Sequence, residues 1–331
     1  MIKMRPLNKG DKIAVIAPAN TMASMPEKLI QIGLERMNTL GYRIQLGQNV
    51  NKKHFHTAGT IEERVADFHQ SFSNQDIAAV MAVYGGYNSN HLLDHLDYNL
   101  IKSNPKLLIG YSDVSALLNA VYAQTSLVSL HGVSFASFCD PNMFPEAIES
   151  FVRIVNGEAP IELTAPKKTA HDLWYLKKEF GPRDTYPHSG WSVLTEGEAK
   201  GKLLGGNLET FLALAGTPYF PSCDSCILLL ESAPDEKPAK FDREITQLKQ
   251  MGILSSIAGL IIGQFPSDSP LATTETMRSI LEPALGGQAY PILLNASFSH
   301  VDPIYTLPIG REVILRADEN PTVVVCQSIY E

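Results

Sequence analysis

Cysteine is scarce in this chain of 331 residues. Four residues, Cys139, Cys223, Cys226 and Cys326, suit free thiols in a reducing cytoplasm rather than a disulfide framework. Cys223-x-x-Cys226 lacks the second pair a zinc ribbon needs and runs into an apolar strand, so no metal or redox site is expected there. Lysine and arginine form no block and the formal net charge is −8, which argues against nucleic acid or an anionic membrane as partner. No apolar run approaches the roughly 20 residues that span a bilayer. The start, Met1-Ile2-Lys3-Met4-Arg5-Pro6, has no apolar signal core, and a cytoplasmic protein is expected. Phosphate-binding patterns are missing too. The pair Gly85-Gly86 does not make a P-loop, and Ala17-Pro18-Ala19-Asn20 stands where a Gly-x-Gly-x-x-Gly would follow the first strand. No nucleotide cofactor is expected.

What is present is ordinary globular composition, 44% hydrophobic and 19% charged, over a length that accommodates two domains. Up to about residue 135, short apolar runs alternate with helical patterns. Strands are expected at 12–17, 43–46, 77–83, 106–109 and 127–131, and helices at 26–40, 60–72, 90–96 and 114–124. This alternation predicts an α/β, Rossmann-like domain with a parallel sheet, spanning 1–140. Residues 141–195 hold a helix and then a polar stretch around Trp174-Tyr175-Leu176-Lys177-Lys178, read as linker and mobile substrate loop. The remainder, 196–331, opens on Gly201-Lys202-Leu203-Leu204-Gly205-Gly206-Asn207 and reads as a second, β-rich α/β domain. Its expected strands lie at 226–230, 257–262, 291–295, 312–317 and 322–326, with a helix at 239–251.

Leu107-Leu108-Ile109-Gly110-Tyr111-Ser112-Asp113 is the most informative stretch. An apolar strand stops at a glycine, a serine follows two residues later, and a helix begins. A strand that turns sharply into a helix lifts the turn's side chain clear and leaves unpaired N–H groups beside it, which suits a serine nucleophile. The same serine would also serve as a plain helix cap, with Asp113 favouring the dipole. Gly85-Gly86 also ends a strand, so it shares the crevice outside the carboxyl ends of the sheet. A serine needs a base and a group to orient that base. Among nine histidines, His300 stands out, between the strand 291–295 and the turn Asp302-Pro303. Glu231 ends the apolar run Ile227-Leu228-Leu229-Leu230, and either holds an imidazole or begins a turn. His91 and His95 lie four apart without a third ligand, and His54-Phe55-His56 reads as a polar loop, so neither suggests a metal site.

Taken in order, several pieces resemble one family of serine peptidases, the LD-carboxypeptidases and microcin C immunity proteins. They are residues 14–18, Gly85-Gly86-Tyr87-Asn88-Ser89-Asn90-His91-Leu92-Leu93, Gly110-Tyr111-Ser112-Asp113, the block 201–208, Leu229-Leu230-Glu231, Phe298-Ser299-His300 and Thr306-Leu307-Pro308-Ile309-Gly310. The resemblance covers nearly the whole chain. It implies a Ser112–His300–Glu231 triad, an oxyanion site made by the backbone N–H groups of Gly86 and Asp113, an active site between two domains, and a homodimer. Gly110-x-Ser112-x-Val114 lacks the second glycine of the Gly-x-Ser-x-Gly elbow, so an α/β-hydrolase fold is not indicated.

Within the family, the muropeptide enzymes carry an arginine-and-glycine version of the glycine loop. Here Tyr84 precedes the glycines and Asn88-Ser89-Asn90 follows, which resembles the microcin-immunity branch. The insertion holding Trp174 does too, because that branch sets an aromatic residue over its substrate. The expectation is therefore a serine amidase that cleaves between a peptidyl or aminoacyl group and a nucleotide-like moiety, with Gly85, Asn88 and Trp174 touching substrate. Trp191 is read as ordinary packing. The alternatives are an LD-carboxypeptidase releasing D-alanine from muropeptides and a non-catalytic peptide-binding protein.

Overall fold

The computed structural model describes residues 4–177 and 180–330. Residues 1–3 of the amino-terminal stretch, and Lys178 of the aromatic stretch, lie outside them. Strands β1 (Lys12–Ile16), β2 (Arg43–Leu46), β3 (Ile77–Ala82), β4 (Leu107–Gly110) and β5 (Ser129–His131) form a parallel sheet in the order β5-β4-β3-β1-β2. All six residues of β3 are buried, as expected for a strand covered on both faces by helices. The helix Ile61–Ser73 starts from a capping box in which Thr60 and Glu63 satisfy each other's backbone N–H.

The segment 141–195 is less a linker than its composition suggests. Its helix, Pro145–Val155, turns a buried face inward, and β6 (Ile161–Leu163) forms an edge of the second sheet. A two-stranded hairpin of β7 (Lys168–Thr169) and β8 (Tyr186–Pro187) brackets the excursion containing Trp174, and β9 (Ser192–Thr195) forms the other edge.

The second sheet continues with β10 (Gly197–Asn207), β11 (Ile227–Glu231), β12 (Gly259–Gly263) and β13 (Ile292–Ala296), which run parallel. After β14 (Leu307–Ile309) come β15 (Glu312–Ala317) and β16 (Thr322–Val325), giving the order β6-β16-β15-β10-β11-β12-β13-β9. Pattern follows burial. β11 is buried at every residue, whereas antiparallel β15 alternates buried and partly exposed positions. β14 leaves this sheet and pairs antiparallel with β5, so the late chain closes the edge of the first sheet.

The helix Ser115–Thr125 is apolar nearly all round and lies where the two sheets meet. Asn119 Nδ2 donates to the Gly205 carbonyl at 2.7 Å, and the Gly205 N–H donates to Asn119 Oδ1 at 3.1 Å. The Asn207 N–H donates to Ser115 Oγ at 3.0 Å. Both glycines of the block 201–208 lack room for a side chain, Gly206 because of this helix and Gly205 because of the neighbouring strand β11. A Cβ at Gly205 would lie 2.0 Å from the Leu229 carbonyl oxygen, and one at Gly206 would lie 2.4 Å from Ser115 Oγ.

Candidate active site

Ser112 stands two residues past the end of β4 and has φ +61°, a left-handed conformation rare for a residue with a side chain. Such strain costs on the order of 1–3 kcal/mol and persists only where the surroundings enforce it. The hydroxyl does not cap the helix that follows. Instead, Ser112 Oγ lies 3.0 Å from His300 Nε2. His300 Nδ1 lies 2.7 Å from Glu231 Oε2. Thus the end of β4, the end of β11 and the loop after β13 bring together the three side chains singled out from the sequence.

The electrostatics of this row are coupled. Glu231 is fully buried, which by itself pushes its carboxyl up. The charge and hydrogen bond of His300, with help from His131 and Asn207, bring it below its ordinary value. Burial pushes His300 down, but the charge and hydrogen bond of Glu231 outweigh it and raise the imidazole above its usual value. With Nδ1–H donated to the carboxylate, Nε2 is the atom left to take a hydroxyl proton. The loop carrying His300 is tied down from below. His131 Nε2 donates to the Phe298 carbonyl at 2.9 Å, and Trp191 Nε1 donates to Ser297 Oγ at 3.2 Å. Trp191 is therefore buried packing, as expected.

Gly85 has no room for any other residue. A Cβ there would lie 2.9 Å from Ser112 Cβ and 3.2 Å from the Asp113 nitrogen. At Gly86 a Cβ would meet Ala19 at 2.9 Å. Among the described residues, neither the Gly86 N–H nor the Asp113 N–H donates to a protein acceptor. Asn88 departs from expectation. Its side chain pairs with His91 Nε2 at 3.3 Å, its carbonyl accepts from Arg64 Nη1 at 3.0 Å, and it does not line the cavity.

That cavity, about 590 Å³, is lined by Gly85, Gly86, Ser112 and His300 together with Trp174, Tyr175 and Leu176. Trp174 begins a short 3-10 turn between β7 and β8. The excursion is anchored by a cluster that sequence reading missed. Arg183, with 3% of its side chain exposed, donates to Asp172 and Asp140 at 2.6 Å each and to Asp302 at 2.9 Å. Asp302 is two residues past His300, so the aromatic excursion and the histidine loop share one anchor. No periodicity marked these residues; only their meeting in space gives them a role.

Comparison with known proteins bears on this geometry. Residues 13–132 match the family model described as LD-carboxypeptidase N-terminal domain, and residues 200–315 match its C-terminal counterpart. The chain belongs to the LD-carboxypeptidase family. It is 34% identical to the putative carboxypeptidase YocD of Bacillus subtilis, over 92% of this chain and 93% of that protein. A probable murein peptide carboxypeptidase of B. subtilis is 29% identical over 97% and 94%. Microcin C7 self-immunity protein MccF of Escherichia coli is 28% identical over 95% and 92%. MccF in complex with aspartyl sulfamoyl adenosine superposes on the whole chain with a TM-score of 0.90 at 27% identity, covering 100% of both. As a member of the LD-carboxypeptidase family, this protein is a hydrolase of the carboxypeptidase type.

Proposed function

We propose that this protein is a serine amidase of the microcin-immunity-like kind, with its active site where β4, β11 and the loop after β13 converge. The carrying observation is His300 bridging Ser112 Oγ at 3.0 Å and Glu231 Oε2 at 2.7 Å at the wall of one cavity. In this reading His300 takes the Ser112 proton as Oγ attacks the carbonyl of an aminoacyl or peptidyl group. The Gly86 and Asp113 N–H groups hold the tetrahedral oxyanion. His300 then returns the proton to the departing nitrogen, and water, activated the same way, releases the acyl group from Ser112. Glu231 keeps Nδ1 protonated and stabilises the imidazolium. No cofactor is required.

Choice of substrate rests on the aromatic part of the lining. Trp174 and Tyr175 line the same cavity as Ser112 and bring aromatic surface to it, which suits a nucleobase; such stacking contributes on the order of 1 kcal/mol. MccF binding of aspartyl sulfamoyl adenosine supports the same assignment. The second reading is an LD-carboxypeptidase that releases D-alanine from muropeptides, supported by similarity to the murein peptide carboxypeptidase. A non-catalytic binder has no use for a strained serine against a histidine, so it fits less well. Free thiols suit the cytoplasm, and the family resemblance suggests a homodimer.

The test is a paired turnover assay by mass spectrometry of wild type and Ser112→Ala. One substrate is an aspartyl sulfamoyl adenylate, the other an L-Ala-D-Glu-diaminopimelate-D-Ala muropeptide. Cleavage of the adenylate alone, lost by at least about 10³-fold in Ser112→Ala, is the expected result. Release of D-alanine alone would move the protein to the cell-wall branch. Binding without turnover of either would make it a binder.

A further inference from the structure

The two N–H groups assigned to the oxyanion come from separate pieces of chain. Asp113 stands at the turn after β4, and Gly86 in the loop after β3. After Val83, whose N–H donates to the Ile16 carbonyl at 2.8 Å, no N–H from residue 84 to 88 is held by another backbone carbonyl among the described residues. The Tyr84 hydroxyl donates to the Thr21 carbonyl at 2.8 Å, and at the far end the loop is held through Ser89. Its N–H donates to Asp113 Oδ2 at 2.9 Å, and its Oγ–H donates to the Asp113 carbonyl at 2.6 Å. Both residues are buried, Ser89 wholly and Asp113 to 3% exposure. From the other side Arg64, also buried, donates Nη1 to the carbonyls of Pro18 at 2.8 Å and Asn88 at 3.0 Å.

We propose that Asp113 and Ser89 form a clamp that sets the separation of the two oxyanion donors, making the Asp113 side chain and Ser89 positioning residues for the reaction. This inference rests on the Ser112-centred reading above. Asp113 then acts twice: its N–H points at the oxyanion, while its carboxylate and carbonyl hold the loop that supplies the other donor. The geometry demands such a device. An oxyanion donor is effective only when held within about 2.7–3.1 Å of the developing charge, and a glycine loop cannot hold itself there. A carboxylate buried at this cost is also unneeded for packing alone. Burial, only partly offset by the Ser89 hydrogen bonds and Arg64, leaves the Asp113 carboxyl pushed up to about 6.

The test compares Ser89→Ala and Asp113→Asn with wild type on the substrate that wild type turns over, and measures binding of an aspartyl aldehyde. The aldehyde's hemiacetal with Ser112 places an oxygen in the same position as the oxyanion. The expected result is a fall in kcat of roughly 10–100-fold for Ser89→Ala with KM within twofold, smaller than complete removal of a donor. Aldehyde affinity should weaken in proportion to kcat. Asp113→Asn, which keeps an acceptor oxygen, should lie between Ser89→Ala and wild type. Unchanged kcat and aldehyde affinity in both variants would overturn the clamp. So would a loss of kcat with aldehyde affinity intact, which marks a merely structural role. If wild-type turnover does not depend on Ser112, the parent reading falls and the clamp with it. Ser112-dependent turnover that ignores both variants overturns the clamp alone.

Discussion

Glu231 carries a charge with no solvent around it, and His300 makes this tolerable. The pairing sets a pH profile. Because Glu231 raises the His300 pKa above its ordinary value of about 6.5, activity should fall as pH drops, with a midpoint above 6.5. Replacing Glu231 by Gln removes the negative charge that raises His300 and offers an amide NH2 that can donate to Nδ1 and so favour the wrong tautomer. The acid limb should therefore move to lower pH, while kcat at neutral pH falls by roughly 10²–10⁴-fold through loss of the correct tautomer. A kcat–pH titration of both proteins checks this; an acid limb that stays put in Glu231→Gln would remove Glu231 from the role given to it. Stability carries the opposite sign for the same imidazole. A raised folded pKa contributes stability that is full below about 6.5 and is lost as pH rises through the folded value.

At the scale of elements, the contact between the helix Ser115–Thr125 and β10 fixes how far Ser112 stands from Glu231. Asn119 supplies both halves of the exchange with Gly205. In Asn119→Ala a buried carbonyl and a buried N–H lose their partners, at about 1–3 kcal/mol each. The urea midpoint should fall by the equivalent of about 2–6 kcal/mol, and activity per folded molecule should fall too. Unaltered stability would mean that the helix docks without it. The elements themselves were legible where burial is two-sided: β3 and β11 are unbroken apolar runs, and the glycine-ended strand before Ser112 could be read directly. Elements defined by a distant partner were not. β6 and β14 are three residues each, β14 contains Pro308, and what makes each a strand is a neighbour more than 150 residues away. The glycine loop was legible as a loop, but not its internal wiring. Asn88 looked available for substrate, yet Arg64 and His91 already occupy it.

The whole molecule raises the question of what keeps the aromatic excursion at the cavity, since the described residues between β7 and β8 belong to neither large sheet. Composition suggested a mobile loop because polar and proline residues give no hint of a buried anchor. Arg183 is that anchor, meeting carboxylates from three segments: Asp172 within the excursion, Asp140 before the helix Pro145–Val155, and Asp302 beside the histidine loop. Removing one partner of a buried ion cluster leaves the others uncompensated, at about 3–5 kcal/mol. Arg183→Met should therefore lower the melting temperature and raise KM for aspartyl sulfamoyl adenosine, as Trp174 is released, while Ser112 stays reactive toward a small phosphonate. The pH dependence follows from the charges. Burial pushes Asp302 and Asp172 up; Arg183 pulls Asp302 down, and Lys177 and Arg183 together pull Asp172 down. Without Arg183 their folded pKa values rise, so the variant's folded state binds more protons than the wild type's, and the deficit shrinks as the pH falls. Melting curves of both proteins from pH 8 to pH 5 should converge toward the acid end. Curves that remain parallel would show that the cluster is neutralised by other means, and the excursion would then need a different anchor.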